Sequence, residues 1–147
     1  MLNGSKFYVY CVLLSLMFVS QVSTAKLVET FEQFNQAVST VKPGGEIVLA
    51  DGIWENVELV FKAQGLHNKK ITLRAQTPGK VIITGRSNLA FSGEYIVVSG
   101  LVFKDGFTPT GEVISFRTSN KDVANNSRVT NIVIDNFSTD ERQMSDL

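Results

Sequence analysis

The sequence predicts an all-β chain folded as a parallel β-helix, capped at its N-terminal end by one α-helix. Three observations carry that prediction. From Glu46 onward short apolar runs recur, separated by Gly, Asn, Asp or Pro. Equivalent runs repeat after 24 residues (Ile47 to Ile71) and again after 25 (Ile71 to Ile96), a period suited to solenoid coils of several short strands. No second amphipathic helix separates the runs, which argues against alternating βαβ units.

The first 25 residues stand apart from this pattern. Lys6 is followed by an apolar stretch from Phe7 to Val19 and then by Ser23-Thr24-Ala25. A positive start, an apolar centre and small residues before the cut form a secretory signal, with cleavage expected after Ala25. The apolar stretch is shorter than the roughly 20 residues a membrane span needs; an uncleaved anchor is the competing reading. The predicted organisation is a signal over 1–25 and a β-helix portion over 26–147, delivered to the periplasm or the medium.

Cleavage would remove Lys6 from a chain with 14 Lys+Arg and 14 Asp+Glu. The near-balance that remains gives no general pull on nucleic acid or on a membrane surface. Cys11, the only cysteine, lies inside the signal and follows no lipobox pattern. The secreted part therefore has neither disulfide nor thiolate chemistry. It must be held by an apolar core, which 44% hydrophobic residues permit.

The helix comes first. Thr30-Phe31-Glu32-Gln33 fits a capping box, with Thr30 as N-cap and Gln33 reaching back. Phe31, Phe34, Val38 and Val41 follow at helical spacing on one face, and Pro43-Gly44-Gly45 ends the helix. Its role is to cover the open end of the first coil, where strand edges would otherwise be exposed.

Strands are expected at 47–50, 57–61, 71–75, 81–85, 89–93, 95–100, 101–106, 113–116 and 129–137. An antiparallel sandwich would need hairpin turns, for which Asp51-Gly52 and Asp105-Gly106 are available. The near-zero gap in IVVSGLVF favours the solenoid, because two residues suffice to turn from one face of a coil to the next. Ser99-Gly100 is read as such a corner. The polar stretch RTSNKDVANNSR, 117–128, is read as a loop inserted between two strands of a coil. It contains one glycosylation-type triplet, Asn125-Asn126-Ser127; Asn136-Phe137-Ser138 is another, and such triplets are common by chance.

The chemistry-bearing residues are sparse. His67 is the only histidine, so no two-histidine dyad exists, and no Gly-x-Ser-x-Gly elbow supplies a nucleophile for it. It is read as a loop residue. Glu55 and Glu58, at odd spacing, would face opposite sides of one strand. Asp105, Asp122 and Asp135 are far apart in sequence and would meet only by stacking; solvated acids are the plainer reading. Lys104 and Arg117 each follow an apolar run, where they could face outward on adjacent strands toward an anionic polymer or simply end a strand. Lys69-Lys70 is read as a solvated loop. Trp54 and Tyr95, beside apolar runs, are read as core residues rather than sugar-stacking platforms.

Several phrases together carry a family resemblance: VKPGGEIVLADGIWENVELVF, then ITLRAQTPGKVIITGRSNLAFSGEYIVVSGLVFKDG with its turn at Ala75-Gln76-Thr77-Pro78-Gly79, then VISFR and SRVTNIVIDNF. From about Val28 to Asp140 the chain resembles polysaccharide lyase family six, the alginate lyase and chondroitinase B group. The resemblance implies a secreted, right-handed parallel β-helix acting on an acidic, uronate-containing polysaccharide, alginate first. It implies β-elimination: a base, suitably a lysine, takes the C5 proton of the uronate while calcium and basic side chains neutralise its carboxylate. Members of the family are much longer, and their catalytic lysine and arginine and their calcium-holding asparagine and glutamates lie on later coils. No position here matches those motifs, so no catalytic or metal residue is assigned, and substrate-binding residues stay unassigned. Calcium is expected of the full-length family and is supported by nothing in this chain. The chain reads as the opening coils of a lyase without its reaction centre. The alternatives are a non-catalytic β-solenoid that binds polysaccharide or serves as a surface module and, more plainly, a small structural all-β domain.

Overall fold

The computed structural model describes residues 24–139. The predicted signal at 1–25 falls almost wholly outside the described residues. Within them the chain is a right-handed parallel β-helix of about three turns with one short helix.

The chain enters as β1 (Ala25–Val28), passes through α1 (Phe31–Thr40), and then winds through three sheets in a fixed order. The first coil is β2 (Glu46–Leu49), β3 (Gly52–Glu55) and β4 (Glu58–Gln64). The second is β5 (Ile71–Ala75), β6 (Val81–Arg86) and β7 (Asn88–Glu94). The third is β8 (Ile96–Ser99), β9 (Leu101–Phe107) and a third side broken into β10 (Ile114–Ser115) and β11 (Ala124–Asn125). β12 (Arg128–Thr130) and β13 (Val133–Ser138) begin a further coil. The first sheet runs β1-β2-β5-β8-β12 and the second β3-β6-β9-β13; in the third, β4, β10 and β11 all pair with β7. Every pairing between these strands is parallel.

Alternation along each strand puts one set of side chains inside, and coil stacking lays like on like. Ile47 lies against Leu73 and Leu73 against Val98; Trp54 lies against Ile83 and Ile83 against Phe103. Phe61 pairs with Phe91, whose ring packs at 4.6 Å from that of Phe116. Phe61, Phe91 and Phe103 are fully buried, and each such side chain contributes roughly 1.5–3 kcal/mol by leaving water.

The helix begins as expected. Thr30 Oγ1 accepts from the Gln33 N–H at 3.2 Å. Gln33 reaches back one residue further than a capping box predicts: its Oε1 accepts from the Glu29 N–H, not from Thr30. Phe34 and Ala37 are buried, with Phe31, Val38 and Val41 packed against the core. The helix therefore covers the first coil through a face of five residues.

Ser99-Gly100 is a corner: β8 lies in the first sheet, β9 in the second, and Gly100 turns the chain with φ +82°. Asp51-Gly52 and Asp105-Gly106 close no hairpin. Asp51 and Gly52 form the equivalent bend into β3, a strand the apolar-run reading passed over because GIWE holds only two apolar residues. The stretch 129–137 is two strands rather than one, broken where Asn131 bends the chain at φ 53°. The polar 117–128 stretch is a loop only in part. Arg117 and Val123 close a small antiparallel turn, after which Ala124-Asn125 rejoins the third sheet and Arg128 opens β12. Backbone hydrogen bonding to the coil beneath does not depend on apolar side chains, so that return left no hydropathy signal.

Candidate functional site

The outer surface of the second sheet and the corner that follows it carry a ladder of polar side chains. Glu55 stands in register with Thr84, and Lys104 with Asp135. Just beyond, each coil takes positive φ, at Asn56 (φ 55°), Gly85 (φ 66°), Asp105 (φ 51°) and Asn136 (φ 46°), with a bulge between β6 and β9 that sets Gly85 against Gly106 rather than Asp105. Asparagine and aspartate tolerate this left-handed backbone better than other side chains, and here they also bond between coils. Asn56 Oδ1 accepts from the Arg86 N–H at 2.9 Å, and Thr84 Oγ1 donates to the Asp105 carbonyl at 2.8 Å. Beyond the corner, Arg86 Nη1 donates to Glu58 at 2.6 Å.

Each of the charged side chains predicted from sequence has a definite place. Lys104 is exposed and lies 3.5 Å from Asp135. Arg117 lies beyond β10 in the turn bridged to Val123, away from the second sheet that carries Lys104, so the two do not line adjacent strands. Asp122 lies 3.3 Å from Lys62. Its carboxyl is held below its ordinary value, first by the Ser119 side chain and then by the Lys62 ammonium. Asp105 and Asp135 do come together by stacking, but toward Asn136 and Lys104 rather than toward each other. Glu55 and Glu58 sit on different strands, one on each side of the Asn56 bend, because β3 ends where β4 begins; they are not two faces of one strand. Among the described residues no three His, Cys, Asp or Glu side chains lie close enough to hold a metal ion.

His67 lies on an exposed loop, its ring edge-on to Tyr95 at 5.9 Å. Trp54 is a core residue, with its indole N–H donating to the Ala50 carbonyl at 3.0 Å. Tyr95 is not: it occupies the bend between β7 and β8 at φ 52° and is half-buried. The apolar run beside it belongs to β8, which starts one residue later. Of the two glycosylation-type triplets, Asn125 is exposed in β11, and Asn136 bonds to Asp105.

The sequence reading missed a second surface. Two adjoining clefts share Val41, Lys42 and Pro43 at the end of the helix. One runs past Lys26, Lys69 and Lys70, the other past Lys62 and Lys121. These lysines lie on β1, the helix end, β4, the loop before β5 and the 117–123 turn. Only the winding of the coils brings them together, so no local motif announces them.

Parallel coils with a helical cap and a buried stacked core define a parallel β-helix. The chain belongs to the chondroitinase B family: the family model matches residues 28–147. Its fold neighbours agree. AlyGC, a family-six alginate lyase, is 57% identical with a TM-score of 0.77, over 79% of this chain and 16% of that one. A mannuronic-acid-specific family-six lyase from human gut microbiota is 29% identical with a TM-score of 0.69, over 78% of this chain and 26% of that one. The family-six lyase Pedsa3628 from Pseudopedobacter saltans is 32% identical with a TM-score of 0.66, over 74% and 24%. The chain thus spans 16% of the length of AlyGC and about a quarter of the other two. No curated protein matches it.

Proposed function

We propose that this chain is the N-terminal part of a secreted polysaccharide lyase that cleaves alginate by β-elimination, and that its coils are scaffold for a reaction centre on coils further along. The observation that carries the reading is the 57% identity to the alginate lyase AlyGC. Identity that high within one fold favours a shared substrate class. In β-elimination a base removes the C5 proton, the electron pair forms the C4–C5 double bond, and the glycosidic oxygen at C4 leaves and takes a proton. Three groups are required: a base, a cation against the carboxylate and a proton donor to the leaving oxygen. The described residues bring no such trio together. Calcium is part of the family expectation; among the described residues no three His, Cys, Asp or Glu side chains gather to hold it, and no step is assigned to it.

The test is to read the coding frame beyond the Leu147 codon, express the whole frame, and incubate it with polymannuronate, polyguluronate and dermatan sulfate. Unsaturated uronate ends, followed by their ultraviolet absorbance, are expected from an alginate block and not from residues 1–147 alone. Product from dermatan sulfate only would overturn the alginate assignment. No product from any of the three would overturn the lyase reading and leave a binding module.

A further inference from the structure

We propose that the lysine-lined groove beside the helix end is a binding site for a strand of carboxylate-bearing polysaccharide. The inference deepens the lyase reading in naming uronate polymer as the occupant; the charge argument for the groove does not depend on it.

Six lysines line the two joined clefts: Lys26, Lys42, Lys62, Lys69, Lys70 and Lys121. They are six of the eight lysines within residues 24–139. The groove therefore gathers cations in a chain whose acids and bases balance overall. Three acids reach it, and each is already engaged. Glu46 holds Arg74 at 3.1 Å, Asp122 holds Lys62 at 3.3 Å, and Glu94 accepts from the Asn126 amide at 3.1 Å. Among the described residues, Lys26, Lys42, Lys70 and Lys121 belong to no ion pair. Like charges gathered along a concave wall focus a positive potential that attracts an anion and speeds its arrival.

The shape and the lining then select among anions. The clefts share Val41, Lys42 and Pro43 and lysines line both, so the cations are spread over two adjoining clefts rather than gathered in one pocket. A single small anion would meet only some of them, whereas a polymer with a carboxylate on each sugar meets cations in both clefts. Asn68, Gln64 and Asn125 supply side-chain amides between the lysines, and amides both donate to and accept from sugar hydroxyls. The pairing of fixed cations with neutral amides suits a hydroxyl-rich polyanion.

The groove is built from the cap and the third-sheet side of the coils, up to the 117–123 turn, whereas the Lys104–Asp135 ladder lies on the second sheet. That separation supplies an internal control. The test uses the chain of residues 1–147 and a fluorescent oligomannuronate, followed by anisotropy at low and at physiological salt. The variants are Lys42→Glu, Lys70→Glu and Lys121→Glu, with Lys104→Glu as the control and far-ultraviolet circular dichroism confirming the fold of each. Binding that weakens with salt is expected, with each groove variant losing about fivefold or more in affinity and the control changing less than about twofold.

Oligomannuronate binding that the groove variants leave intact would overturn the groove and spare the alginate reading. Equal weakening by Lys104→Glu would overturn it as general charge attraction. Groove-dependent binding of polygalacturonate or dermatan sulfate in place of oligomannuronate would sustain the groove and count against alginate as the polymer. No binding of any of the three would overturn the groove, while the lyase reading would still be judged by its unsaturated product.

Discussion

Asn136 donates its side-chain amide to the Asp105 carboxylate at 2.8 Å, and the two residues hold the same left-handed backbone one coil apart. The bond links a bend to its copy. Asn56 and Gly85 also take positive φ on the coils before, but a bulge between β6 and β9 sets Gly85 against Gly106, so the bend moves by one residue at Asp105 and keeps that place at Asn136. A residue at this position must accept positive φ and, where it can, bond to its neighbour. Asp105→Asn meets both demands and is expected to leave stability within about 0.5 kcal/mol. Asp105→Val meets neither. It incurs roughly 1–2 kcal/mol for left-handed backbone on an L-residue, more for a branched side chain, and loses the hydrogen bond. Urea midpoints of the two variants at equal m-value decide the matter.

A closer fit governs Gly93. It has φ +116°, and a Cβ there would run into the carbonyl oxygen of Ala63 on the coil below. Backbone cannot give way as a side-chain tip can. Gly93→Ala is expected to destabilise by at least about 3 kcal/mol, strain and overpacking combined, or to yield insoluble chain. A variant that unfolds at the wild-type midpoint would mean that the two coils are not in this register.

The phenylalanine stack makes the largest core prediction. Phe91 is fully buried between Phe61 and Phe116. Phe91→Ala removes a ring from a column that cannot collapse, since the strands above and below are fixed by their hydrogen bonds. A loss of about 3–5 kcal/mol is expected, against roughly 1–2 for Phe91→Leu. Equal losses would indicate a loosely packed column.

Much of this architecture was legible because coil repeats write themselves into hydropathy. IVVSGLVF could be read as two strands and a corner because both strands are apolar and the gap admits nothing else. The helix was legible from Thr30 and Gln33 and from a regular apolar face. What escaped was whatever the backbone makes without apolar side chains. β3 is half polar and exposed on one face, and Ala124-Asn125 rejoins the third sheet with only one small apolar side chain, Ala124, against the core. Tyr95 was misplaced for the converse reason: an aromatic beside an apolar run packs in the core only if it shares the strand, and Tyr95 is the bend before it. The lysine groove was illegible in principle. Its members are scattered from Lys26 to Lys121, and only the completed winding makes them neighbours.

Asp122 gives a pH prediction with a definite sign. Its folded carboxyl is shifted below the ordinary 3.8, by Ser119 first and Lys62 second. A carboxyl depressed on folding adds stability above its unfolded value, and that stability is lost as pH falls through the folded one. Asp122→Asn should therefore narrow the stability difference from wild type only below about pH 4, with no change of slope near neutrality. Ser119→Ala should raise the Asp122 titration midpoint more than Lys62→Met does, as read by carboxyl carbon chemical shifts. The reverse order would make the ion pair the principal cause.

The last described coil presents a face that ought to govern solution behaviour. Phe116 is 47% exposed, Val133 51% and Ile134 54%, although all three follow strand patterns that bury their counterparts or flank the core. β10 to β13 also carry backbone groups with no strand beyond them among the described residues. Apolar side chains beside an open parallel edge template the addition of another strand. Purified residues 26–147 are expected to associate as concentration rises, with light scattering increasing and thermal unfolding irreversible. Phe116→Lys with Ile134→Lys should reduce that association without loss of circular dichroism, because both side chains lie at the end of their stacks. A soluble monomer that unfolds sharply and reversibly would show that this face is satisfied within the chain itself.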